Sequence, residues 1–224
     1  MSKTDSGGPL RLFAELGHLA PVVLIGGSFF MSAITVNYPM FVFSASMVEA
    51  SLVYSLIRKS SNFIASPTLG VTTPADLENK AAECSSYFRV LTDSRFKAFM
   101  ADGIEKGFPN YAIYYLVFAS VYCIQAMLFF SKECSELGPS YSNRPYMSII
   151  GGSMFISLYC FYFLVYGCDS FFSIACTVLI AAAMAYLICH QNVAILGRES
   201  VDIIYIPPLT QRTGMDYICV TTKS

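Results

Sequence analysis

The chain has 224 residues, 55% of them apolar and only 13% charged, with a net charge of −1 and a mean hydropathy of +0.55. Soluble domains carry roughly 25% charged residues, so this composition excludes an ordinary soluble domain. The near-zero net charge and the lack of any Lys/Arg cluster argue against nucleic acid as a partner.

Residues 1–18 form a tail in which Gly7-Gly8-Pro9 marks a loose start and Leu10–Leu19 has the pattern of a short amphipathic lead-in helix. The first apolar run starts too late for a secretory signal peptide. Residues 19–57 hold two membrane crossings separated by Asn37-Tyr38-Pro39, a turn signal because proline disfavours helix at the residue before it. The second crossing, from Met40 to about Ile57, carries Glu49 near its centre and ends on Arg58-Lys59.

Residues 58–109 are polar. Thr73-Pro74-Ala75-Asp76 has the order of a helix start, with an N-cap, a proline at the first helical position and an acid in the first turn. From there Leu77, Ala81, Cys84, Phe88 and Leu91 recur every three or four residues, and Phe96 leads a second short apolar set. That spacing predicts amphipathic helices lying on the membrane or on the bundle, or a platform on which another protein docks.

A third crossing over residues 110–130 has Gln125 as its one strongly polar member, and residues 131–146 read as a loop. Between Arg144 and His190 the only charged residue is Asp169. A crossing needs about 20 apolar residues, so residues 147–190 hold two, turning at Gly167-Cys168-Asp169-Ser170. Residues 191–224 form a polar tail in which Val201–Ile206, before Pro207-Pro208, is expected to be extended. Its Ile203, Tyr205 and Ile206, with Leu77, Phe88 and Phe96 of the loop, are the candidate docking residues.

The fold class is therefore all-α: a polytopic transmembrane bundle of about five crossings, with an amphipathic helical loop and an extended tail. Lys and Arg number nine on the side of the N-terminus and the 58–109 loop and five on the other, which places the N-terminus in the cytoplasm. Gly26-Gly27-Ser28-Phe29-Phe30-Met31-Ser32 is echoed by Gly151-Gly152-Ser153-Met154-Phe155-Ile156-Ser157. Such an echo occurs in inverted-repeat transporters, although small residues are common wherever membrane helices approach closely.

Few residues could carry chemistry. A charge deep in a crossing costs about 2.5–3.5 kcal/mol, so Glu49 should face other helices, with Gln125 as a plausible partner; together they form a candidate intramembrane polar site. Asp169 sits in a boundary turn, Arg144 snorkels at a membrane edge, and His190 ends a helix where a cation suits the macrodipole. The eight cysteines form no CxxC pair, and no phosphate loop, HExxH or GxSxG motif is present. No enzyme, metal or cofactor is expected.

Gly197-Arg198-Glu199-Ser200-Val201 through Pro207-Pro208-Leu209, followed by Asp216-Tyr217-Ile218-Cys219, resembles the tail of multi-spanning membrane proteins of large double-stranded DNA viruses, the algal-virus and giant-virus group. The resemblance implies a structural protein of the internal virion membrane, partnered by lipids and by capsid or minor capsid proteins, and leaves a homo-oligomer open. Some of those proteins carry a Pro-Ser-Gly-His-like segment that this chain lacks, so no enzymatic role is carried over. The alternative is a small transporter or channel subunit that uses Glu49.

Overall fold

The structure, a computed structural model, describes residues 23–65, 108–136, 139–165 and 169–203. All regular structure among them is helical: α1 (Val23–Thr35), α2 (Tyr38–Ala65), α3 (Tyr111–Phe129), α4 (Ser131–Glu136), α5 (Pro139–Ser142), α6 (Arg144–Val165), α7 (Phe171–Leu196) and a 3-10 turn at Arg198–Val201. Four of these, α2, α3, α6 and α7, are long and apolar enough to cross a membrane. The described part of α1 is apolar but shorter, 13 residues, or about 20 Å against a hydrocarbon core of roughly 30 Å.

Helix α3 is the axis of the bundle. Of its span 61% is buried, against 17% for α6, and its hydroxyl and ring contacts reach both α2 and α7. Asn110, its N-cap, accepts a bond from the Ile113 amide, donates its own amide to Thr177 Oγ1 of α7 at 3.3 Å, and bonds Asp169 at 3.4 Å. The starts of α3 and α7 therefore lie together, and the two helices run parallel. Helix α2 runs against them, since Ser46 meets Tyr122 and Asn192 while Tyr54 reaches Pro109 at the other end. Helix α6 lies on the outside of α3. A Cβ added at Gly152 would stand 2.8 Å from Ile124 Cδ1, so that glycine is what lets the two backbones approach.

The α1–α2 turn shows how the local sequence works. The Asn37 amide bonds Ser32 O at 3.1 Å while Val36 takes a φ of 51°, a six-to-one bond closing α1 in the Schellman manner. The Asn37 side chain then accepts from the Met40 amide at 3.1 Å and caps α2. One asparagine thus closes one helix and opens the next. Because Pro39 falls in the first turn, where its missing amide has no intrahelical partner to lose, α2 starts at Tyr38, two residues earlier than the proline suggests.

Other boundaries also differ from expectation. Arg58 does not end α2 in solvent: it is 9% exposed, and the helix continues to Ala65. The 131–146 connector contains α4 and α5 rather than loop alone, and α6 begins at Arg144 with Pro145 in its first turn. Helix α7 runs six residues beyond His190, to Leu196. Val201 then sits in a 3-10 turn, fully buried, where an extended segment is expected from the sequence. The amphipathic segments of the 58–109 loop, with Leu77, Phe88 and Phe96, and the tail residues Tyr205 and Ile206 lie outside the described residues.

The two glycine-serine echoes are not packed alike. Nothing lies within 4 Å of a Cβ placed at Gly26 or Gly27, whereas Gly152 is pressed against Ile124. The echo does not extend to equivalent packing.

Candidate functional site

Serine is abundant in α2; Ser44 donates across to Ile25 O of α1 at 3.2 Å, and four other hydroxyls are satisfied within the helix. Ser46, Ser51, Ser55 and Ser60 each donate to the carbonyl four residues earlier, at 2.8, 2.8, 3.0 and 2.9 Å. A hydroxyl oxygen that has donated its proton still accepts, and Ser46 does so across the bundle. The Asn192 amide spends one proton on Ser46 Oγ at 2.7 Å and the other on the Tyr122 hydroxyl at 2.9 Å. Asn192, Ser46 and Tyr122 are all buried, so one side chain ties α2, α3 and α7 together. The Ser200 hydroxyl adds the turn after α7, reaching Asn192 O at 3.3 Å and Gly197 O at 2.7 Å.

Beside this node, Gln191 Nε2 donates to Glu49 Oε1 at 3.3 Å. Glu49 is half-buried and Gln191 exposed. The acid therefore bonds α7, one residue from the buried node, and not Gln125 of α3; Gln125 is half-buried and makes no hydrogen bond among the described residues. His190 does not cap a helix end. It packs within α7 between Phe129 at 5.0 Å and Tyr186 at 4.2 Å, ring to ring.

Aromatic side chains fill the rest of the interior. Tyr114, Phe118 and Tyr122 recur every fourth residue on α3, stacked at 6.5 and 6.2 Å, and each is 0% exposed. Phe43 of α2 meets Tyr122 edge-on at 5.3 Å. Buried tyrosines need a partner for their hydroxyl, and backbone carbonyls supply it: Tyr54 donates to Pro109 O at 3.0 Å and Tyr114 to Ala50 O at 3.3 Å.

Polar side chains also gather at the end of the bundle where α3 finishes and α7 turns back. Gly197 has φ 87° and ψ 165°, a region only glycine occupies readily, and it folds the chain onto the helix ends. Arg198 then bonds Phe129 O and pairs with Glu133 at 3.0 Å, satisfying a carbonyl that α3 leaves open at its C-terminus. Cys134 lies beneath, 1% exposed. Its burial holds the thiol above the ordinary range; the Arg144 guanidinium pulls it down, and Glu133 and Asp202 push it up again. Ile203 is half-buried against this core, so it is partly spent on the chain's own packing. A cavity of about 310 Å³ opens here between α3, α6 and the 3-10 turn, with Met127, Met147 and Val201 in its wall.

Among the described residues no three His, Cys, Asp or Glu side chains gather as metal ligands. Compared with family profiles, with characterised proteins and with solved structures, the chain matches none.

Proposed function

We propose that the protein is a structural, multi-pass membrane anchor: a component of a large DNA virus that holds the internal virion membrane to minor capsid proteins. The observation that carries this reading is the filled axis of the bundle. Tyr114, Phe118 and Tyr122 are wholly buried along α3, and the polar groups beside them are closed by hydrogen bonds to one another. A tightly packed interior of this kind suits a post, and the large apolar side chains left on the outside, such as Ile150, Phe161 and Leu179, suit contact with lipid. Viral origin and the capsid partner rest on the resemblance of the C-terminal segment. In this reading α1 is the short first crossing, so five crossings place the segment between α2 and α3 and the C-terminal tail on opposite sides of the membrane.

Chemical cross-linking with mass spectrometry on the native particle or membrane tests the reading. Lys80, Lys97 and Lys106 of the loop and Lys223 of the tail are the reactive handles. Cross-links from them to capsid-side structural proteins are the expected result. Links confined to copies of the chain itself, in a membrane with no particle, would overturn the anchor.

A further inference from the structure

The cavity at the polar end of the bundle combines two features that the anchor role does not use. Its wall is almost wholly apolar, formed by Cys123, Ala126 and Met127 of α3, Met147 of α6 and Val201 of the turn. Cys123 and Met147 are exposed on the outside of the bundle. Since α3 and α6 are spanning helices, the opening beside those two residues faces hydrocarbon.

Arg144 stands in the same wall. It is exposed, lies over the Tyr141 ring at 4.2 Å, and forms no ion pair among the described residues; the nearby pair belongs to Arg198 and Glu133. A guanidinium stacked on a ring keeps its N–H fork free at the edges. Arg144 is also the first residue of α6, where the helix dipole adds to its positive charge. Asp202, the acid in the wall, is 6% exposed and has an interaction of its own. Its charge makes an anion unfavourable deep inside the cavity and leaves the mouth at Arg144 as the place for one.

We propose that this cavity holds one acyl chain of a phospholipid whose phosphate is received at the mouth by Arg144. The apolar wall takes the chain, and the guanidinium takes the phosphodiester at the depth where headgroups lie. The chain supplies the retention and the phosphate strengthens it. A free phosphate has nothing to place in an apolar wall, and a lipid without phosphate keeps the chain's contacts but gains nothing from Arg144. This assignment holds whatever protein the anchor meets.

Native mass spectrometry of the full chain in detergent tests it, with dioleoylphosphatidylglycerol, dioleoylglycerol and inorganic phosphate as probes. The wild type should retain the phospholipid about tenfold better than dioleoylglycerol, the worth of one charge-assisted hydrogen bond, and should not retain phosphate. Arg144→Gln, at an exposed position, should remove that tenfold preference. Ser148→Phe, which puts a ring into the cavity, should remove retention of both lipids. Lys132→Gln, an exposed cation on α4, should change neither. Equal phospholipid retention by wild type, Arg144→Gln and Ser148→Phe would overturn the site. So would an equal loss in Lys132→Gln, which would mean diffuse attraction and not a defined mouth.

Discussion

Asn192 is the residue on which most depends. Its side chain supplies both protons that reach Ser46 and Tyr122, so Asn192→Ala removes two buried hydrogen bonds at once and leaves Tyr122 with Ser46 alone. Hydrogen bonds between membrane helices average well under 2 kcal/mol each, and two are lost here. The expected loss is about 1–2 kcal/mol in unfolding from detergent micelles. Tyr122→Phe should cost less, because Asn192 keeps Ser46. The reverse order would show that the node is not organised by the asparagine.

A second expectation at this scale concerns Cys134. Burial, aided by Glu133 and Asp202 and opposed by Arg144, raises its pKa, so the reactive thiolate forms only above the ordinary thiol range. Peptide-level maleimide labelling should find Cys134 nearly inert at neutral pH, with its rate still rising where a free thiol has levelled off. Arg144→Gln should move that rise to still higher pH, since it removes the one neighbour that favours the thiolate. Labelling of Cys134 at the rate of a free thiol at pH 7 would contradict the burial described here.

Among the elements, α6 is held by its approach to α3, and Gly152 sits at the tightest point. Gly152→Ala meets the flexible end of Ile124 and should be tolerated with a small loss. Gly152→Leu should push α6 off α3, and a cysteine cross-link across that interface should then form more slowly. The α1–α2 turn makes the opposite prediction. Val36 has a φ of 51°, and a β-branched residue there stores of order 1–3 kcal/mol. Val36→Gly releases that strain but loses roughly 0.5–1 kcal/mol to the more flexible unfolded chain. A net gain of about 1 kcal/mol is expected in thermal unfolding.

The long helices were legible because lipid demands runs of apolar residues, and α3, α6 and α7 supply them without interruption. The ends of those helices were less legible, since caps and tertiary contacts decide them. Polar Gln191 and Asn192 resemble the start of a tail when read by hydropathy alone. Spacing carries a better signal: Thr177, Ala181, Ala185, Ile188 and Asn192 fall on one buried stripe of α7, and that period runs straight through the asparagine. The partner of Glu49 was not legible, because α2 and α7 are brought together by topology and no local pattern says which polar residue of which helix will face it.

At the scale of the whole molecule, the anchor reading gives Glu49 no ion path to serve. Glu49→Gln keeps the shape of the side chain and a hydrogen bond to Gln191. Proteoliposomes bearing the variant should match the wild type in pH-dependent ion flux, and the bundle should keep its fold. Loss of a flux that the wild type supports would favour the transporter reading over the anchor.

The central position of α3 also has a consequence for the order in which the chain is made. Helix α2 leaves the ribosome before α3, so the carbonyl of Ala50 is already in place when Tyr114 arrives. The amide that donates to Tyr122 comes much later, because Asn192 emerges seventy residues on. Until then its hydroxyl has only α2 and the surrounding lipid for company. A nascent chain stopped after α6 would thus hold its first helices as a loose sheaf, and the release of the last helix, more than any earlier event, would draw them into register.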